Sequence, residues 1–438
     1  MFRMVRLEAK RSIALALFLV MAAVTRAFLW MDVQEWAASW TPLVSSMRAT
    51  AWTGLPVVLA AAIWHGGRER RNAVTELFAA TPRPRPVRLL PAVVVLAGAA
   101  VLAVTAVVVW AAVIVSGHAT FSDGEWPLGL AVGLLATVAV TLLGLGIGRA
   151  APTPVAAPLG AVLLFLILTV SRIRDGRPAN RLVDTVLPML PVTDDFHRVL
   201  PSLSLAQSVW FAALGVTGVL LTVAATTRAR VLALAPAVAG MAVGALLAPS
   251  GAIVPAPRAT ELVCSPEDSR VCVTKVHSRA LPDLLAPARR VLDAFAEVPG
   301  GPKRIQEDPV TWKLEDDRPA AAKDPGTVRV QLPNRTQEGG IRWEPATLLD
   351  VVARNAVVDL DCFSGAQERA RAGDAASAIT ALLLGTPTDK LGPLARTAYD
   401  TLRALPAEER YRRIGDSRKA GLTCGDPLGA ITGEGAGR

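Results

Sequence analysis

The chain has 438 residues, of which 52% are hydrophobic and only 19% charged, and its mean hydropathy is +0.40. Few soluble globular chains are this apolar. The formal net charge of +9 sits wholly before residue 255, since acids and bases balance after it; a basic excess confined to apolar sequence argues against nucleic acid as a partner and marks membrane topology instead.

A membrane-crossing helix needs about 20 mostly apolar residues. Seven runs are candidates: Ser12–Met31, Ala49–His65, Leu90–Ser116, Pro127–Arg149, Pro154–Ser171, Leu205–Thr227 and Val231–Ser250. The second and fifth are short, and the fifth carries Pro158, which predicts a kink or tilt. The first run follows Arg3, Arg6, Lys10 and Arg11 and resembles a signal peptide, but Arg26 interrupts it and no small-x-small site follows. It therefore reads as a retained span. Arg26 lies near one edge of that span, so it is expected to snorkel toward the interface. Gly129 with Gly133, and Gly240 with Gly244, predict close helix packing within the chain.

Lys and Arg favour cytoplasmic loops. With the N-terminus inside, Gly66–Leu89, Arg149–Thr153 and Arg228–Arg230 are cytoplasmic and rich in arginine. The opposite loops, Asp32–Arg48 and Gly117–Trp126, hold one arginine and four acids. Trp30, Trp36, Trp40, Trp52 and Trp126 fall near that opposite face, as an interfacial belt does. Arg172–Ser204 departs from the rule with five arginines, and its amphipathic part, Arg181–Leu200, reads as a re-entrant or interfacial hairpin. The expected fold is a polytopic α-helical membrane protein of about seven spans, residues 1–254, followed by an extracytoplasmic domain, residues 255–438. The protein is then placed in the plasma membrane, in contact with membrane lipid.

The second part reads as a small mixed α/β domain, mostly helical. Arg270–Val276 and Thr327–Leu332 have strand character. Ala280–Val298, Ala346–Leu360, Ala366–Leu384, Leu391–Leu405 and Ala407–Ile414 have helical spacing. Cys264, Cys272, Cys362 and Cys424 all lie here. An even number confined to one domain predicts two disulfides in an oxidising compartment. Sequence leaves the pairing open, with Cys264–Cys272 and Cys362–Cys424 the simplest.

No phosphate-cradling G-x-x-x-x-G-K-[ST] loop, no H-E-x-x-H and no G-x-S-x-G occurs, so ATP hydrolysis, zinc peptidase and serine hydrolase chemistry have no motif. The cysteine gaps do not suit a metal. His277, the histidine of the second part, is expected on the surface. No cofactor and no catalytic residue is expected.

The informative segment is Gly66–Leu89. Arg68, Glu69, Arg70 and Arg71 open it. Asn72–Ala80 reads as a short helix bearing Glu76, Leu77 and Phe78, ended by Thr81–Pro82, with Arg83 beyond. Leu77 and Phe78 on a cytoplasmic helix fit a partner, either a soluble protein or an anionic lipid surface; the alternative is positive-inside sequence and no more. Together with the basic amphipathic stretch Met1–Ser12, this loop resembles the membrane (permease) subunits of actinobacterial type-2 ABC exporters. The resemblance spans the first 230 residues or so and is carried by Arg68, Glu69, Arg70, Arg71, Glu76, Leu77, Pro82 and Arg83. It implies that Met1–Ser12 is a connecting helix, that the loop is a coupling helix docking on a separate ABC ATPase subunit present in two copies, and that a second permease subunit completes the pathway. The seventh run and the C-terminal domain depart from the simplest family pattern. The rival reading is a membrane-anchored receptor or envelope assembly factor whose outer domain binds a ligand or protein.

Overall fold

In lipid, a backbone satisfies its hydrogen bonds as helix, and the apolar runs are helical in the computed structural model. It describes residues 2–72, 85–172, 181–189, 195–251, 253–308, 324–332 and 336–433. The chain divides into two units, Met1–Ala256 and Pro257–Arg438.

Unit 1 contains α1 (Phe2–Arg11), α2 (Ala14–Met31), α3 (Val33–Trp36), α4 (Trp40–Ala49), α5 (Ala51–Gly66), α6 (Arg68–Arg71), α7 (Arg85–His118), α8 (Trp126–Ala150), α9 (Ala156–Arg172), α10 (Arg181–Val186), β1 (His197–Val199), α11 (Pro201–Val223), α12 (Thr227–Leu232), α13 (Ala235–Leu247) and β2 (Ile253–Pro255). Five segments are long and apolar enough to cross a membrane: Ala14–Met31, Leu90–His118, Trp126–Ala150, Pro201–Val223 and Thr227–Leu247. A sixth forms if α4 and α5, bent by 43° at Thr50, count as one span. Among the described residues, five or six segments meet this length and apolarity, against the seven expected. The expected fifth run has an apolar helix only over Ala156–Val170, roughly 22 Å long against about 30 Å of hydrocarbon.

The second span also begins earlier than the sequence implies. Asp32–Arg48, expected as a loop, is mostly α3 and α4. Arg48, read as a loop arginine, is buried inside the bundle at 1% exposure. A hydropathy window stops short of Ser45, Ser46 and Arg48, whereas a helix needs only one face to be apolar. Pro42, Leu43, Val44 and Met47 supply that face.

Unit 1 has two distinct ends. At one, Trp40 stacks on Trp126 with ring centroids 4.5 Å apart, and Arg198 pairs with Glu125 at 2.7 Å. β1 pairs there antiparallel with β2, the last strand of the unit. At the other end, Arg149 closes α8 against Glu69 at 2.5 Å. α8 and α11 run in the same direction: Phe211 packs in a cluster with Val132, Ala136 and Ala139, and Gly218 lies against Leu142. The chain between them must therefore return toward the tryptophan end. Part of that return is α9, antiparallel to α5, with Gly160 facing Ile63 and Thr169 Oγ1 accepting from Trp52 Nε1 at 2.9 Å.

Both expected glycine pairs pack within the chain: Gly129 faces Val44 and Gly240 faces Ala213. The closest backbone approaches are elsewhere. A Cβ on Gly148 would stand 2.1 Å from the Ile63 carbonyl oxygen, and one on Gly218 would stand 2.4 Å from Leu142. These glycines let α5, α8 and α11 meet backbone to backbone. Arg26 is flanked by aromatic faces, 3.9 Å from the Trp110 centroid and 4.7 Å from Trp30, a cation–π arrangement. Trp36, expected in the belt, is instead fully buried and donates to the Leu29 carbonyl at 2.7 Å.

Unit 2 holds β3 (Leu262–Cys264), β4 (Val271–Thr274), α14 (Leu281–Ala294), β5 (Arg304–Glu307), β6 (Thr327–Val330) and five further helices, α15 (Pro345–Val357), α16 (Ala366–Leu384), α17 (Pro393–Ala404), α18 (Ala407–Leu422) and α19 (Pro427–Thr432). The sheet order is β3-β4-β5-β6, with the last three strands parallel and β3 antiparallel. α14 supplies the crossover that parallel neighbours require. Val271, Val273, Ile305, Val328 and Val330 join Leu284, Val291 and Phe295 in one core. The cysteines pair as Cys264–Cys272, directly opposite each other on β3 and β4, and Cys362–Cys424. α16 begins after Gly365 without a side-chain cap.

Candidate functional site

Three chain segments converge at the Arg149 end of unit 1. α1 carries a single acid, Glu8, among its basic residues. Its Oε1 lies 2.8 Å from His65 Nε2 and accepts from Arg68 Nη1 at 2.5 Å. α5 brings up His65 and, after the close-packed Gly66 and Gly67, turns into α6. Glu69 of α6 then accepts from Arg149 Nη2 at the end of α8. Burial opposes the charged form of Glu8, but the hydrogen bonds from His65 and Arg68 outweigh it and hold the carboxyl at about 2. Glu8 is therefore ionised at any physiological pH.

The four residues Arg68–Arg71 divide by role. Arg68 serves Glu8, and Glu69 serves Arg149. Arg71 lies over the Trp64 ring at 4.1 Å and donates to the Trp64 carbonyl. Arg70 is exposed, and its side chain makes no hydrogen bond or ion pair among the described residues. Three members thus brace the base of the loop while the fourth faces outward. Glu76, Leu77, Phe78 and Arg83, with most of the helix expected over Asn72–Ala80, lie outside the described residues. Sequence reasoning named the Arg68–Arg71 cluster but missed Glu8, His65 and Arg149 as its partners. Glu8 was detectable as the sole acid of the first 31 residues. The other two are set by packing.

A second cluster sits at the carboxyl ends of β4 and β5 in unit 2. Glu307 is 1% exposed and His277 is 4% exposed, so the expected surface histidine is in fact buried. Glu307 Oε1 meets His277 Nδ1, and its Oε2 accepts from Thr274 N at 2.8 Å and Thr274 Oγ1 at 2.7 Å. The threonine hydroxyl donates to the carboxylate and not to the imidazole, so the wiring is not that of a nucleophile–base–acid relay. The cluster ties the ends of two adjacent strands together. Their sequence separation of about thirty residues hid it, because His277 falls one turn past a strand whose parallel neighbour was not foreseen. Among the described residues no group of three His, Cys, Asp or Glu side chains is placed to hold a metal.

Comparison with protein families, with curated proteins and with solved structures finds no match to this chain.

Proposed function

We propose that the chain is the permease subunit of an ATP-driven ABC exporter. The observation that carries this reading is the braced base of the Gly66–Leu89 loop. Glu8 and Glu69 tie it to α1, which leads into the first span, on one side and to the α8 span on the other, so a push on the loop is delivered to two elements at once. A loop with no mechanical role has no need for two part-buried ion pairs at its root. With no phosphate-binding loop in the sequence, ATP hydrolysis in this reading falls to a separate ATPase, two copies of which would serve two permease subunits, identical or paired. The chain itself is then not an enzyme. In this reading the arginine end is cytosolic, the short α9 completes a seventh crossing of the plasma membrane, and unit 2 with its disulfides is extracytoplasmic.

Mild detergent extraction followed by affinity purification tests the proposal. An ABC ATPase is expected to co-purify, and to be lost on R70E or F78A. Purification without an ATPase, with transport unaffected by both variants, overturns it and favours the receptor or assembly-factor reading, which needs only unit 2.

A further inference from the structure

We propose that Arg48 forms a binding site for one monovalent anionic group inside unit 1. Arg48 lies eight residues beyond Trp40, roughly 12 Å along the helix, which is near the middle of an apolar layer about 30 Å thick. It stands at the bend between α4 and α5. A charge at that depth costs several kcal/mol and is retained where it has a task.

The contacts of Arg48 show what that task requires. Nε donates to the Pro188 carbonyl at 2.5 Å, and Nη2 donates to Gln207 Oε1 at 2.7 Å. Gln207 is aimed by its own bonds, Nε2 donating to the Asp184 and Leu187 carbonyls at 2.7 and 2.8 Å. Both acceptors of the guanidinium are neutral, so its charge has no counterpart among the described residues. The third nitrogen, Nη1, is buried with no hydrogen-bond partner. A burial so complete normally demands both a partner for every N–H and a compensating charge.

A cavity of about 20 Å³ adjoins this side chain, lined also by Thr50, Thr137, Met21, Met47 and Gly133. The two threonine hydroxyls donate to the Met47 and Gly133 carbonyls at 2.6 and 3.0 Å. The remaining donor capacity at the cavity is therefore that of Arg48. The volume suits a water molecule or an ion of halide size. A single negative charge would both occupy the Nη1 donors and neutralise the guanidinium, which water cannot do. The anionic group is either a free ion or the carboxylate end of a larger amphiphile. The site is independent of the exporter reading, since binding is measured on this chain alone.

The test is equilibrium binding of radiolabelled chloride to full-length protein in a neutral detergent, without any ATPase. One saturable chloride per chain is expected, and its loss in R48Q. Acetate and decanoate are then added to the wild type as competitors, which keeps the test decisive where R48Q does not fold. Displacement by both at similar concentration assigns the site to a free ion. Displacement by decanoate at a concentration at least tenfold lower assigns it to an amphiphile carboxylate. Absence of saturable chloride binding to the wild type, or equal binding by wild type and folded R48Q, overturns the proposal.

Discussion

Glu8 and Arg68 meet at 2.5 Å across 60 residues of sequence, which fixes the N-terminal helix to the root of the Gly66–Leu89 loop. His65 approaches the same carboxylate oxygen, so one acid holds together a helix, the end of a span and the start of the loop. The mechanical case for the loop rests on this contact and on its counterpart between Glu69 and Arg149.

Acid should weaken the brace over a defined range. The Glu8 carboxyl is lowered from 4.5 to about 2 in the folded state. A depressed carboxyl contributes stability that is fully present above its unfolded value and lost as pH falls through its folded value. The thermal stability of unit 1 should therefore fall between pH 4.5 and 2, and E8Q should flatten that part of the profile. An acid limb identical in E8Q and wild type would assign the loss to other carboxyls.

Arg70 and Glu69 should behave differently although adjacent. R70A removes an exposed side chain and should leave the unfolding midpoint within about 0.5 kcal/mol of wild type, while weakening ATPase capture. E69A removes the ion pair to Arg149 and should cost about 1 kcal/mol of stability as well. Parallel measurement of midpoint and co-purified ATPase separates the two effects.

The backbone contact at Gly148 makes a steric prediction. G148A places a methyl group against the Ile63 carbonyl and should destabilise by about 1–3 kcal/mol through overpacking. G98A is the control: nothing lies within 4 Å of its Cβ position, so it should be neutral or slightly stabilising from helix propensity. Comparable losses in both variants would mean that backbone propensity and not close packing decides.

Arg418 should be the side chain on which unit 2 depends most. It is 3% exposed and donates to three backbone carbonyls, those of Ala356, Gly300 and Pro325. Burial pulls its guanidinium down to about 10, so it is still charged at neutral pH. R418M removes all three bonds from carbonyls that are drawn from separate segments, and should cost about 3 kcal/mol or more. Near-wild-type denaturant stability of R418M would show that water replaces the guanidinium at these sites.

The Cys362–Cys424 bridge spans 62 residues, and the Cys264–Cys272 bridge spans 8. In the chain-entropy account, opening the longer loop should cost about 4 kcal/mol and the shorter about 2.5 kcal/mol. C362S/C424S should therefore lower the unfolding midpoint of unit 2 more than C264S/C272S does. The reverse order would mean that strain or residual structure in the unfolded chain outweighs loop length.

Features that depend on sums along the chain were legible in the sequence. Five apolar spans, the change of character near residue 254, and the helices Ala366–Leu384 and Pro393–Ala404 follow from local apolarity and periodicity, which each stretch carries by itself. The even set of cysteines in one unit pointed to two bridges, and the simplest pairing is the one present. What misled was also local: the hydropathy window cut α4 away from its span because Ser45 and Arg48 lowered the average, and His277 looked like an ordinary polar residue.

Sequence alone determined that the first part holds helices apolar enough to cross a membrane, because transfer of an apolar helix into lipid is an additive property of its residues. It also determined that the second part has its own core and two potential bridges. Tertiary structure alone decided that Glu8 belongs with Arg68, that Glu307 holds His277, and that Arg48 points inward onto Pro188 and Gln207. Those outcomes depend on which backbones can approach closely enough to bring distant polar groups within hydrogen-bonding range, and that is a property of packing, to which no single segment of sequence holds the key.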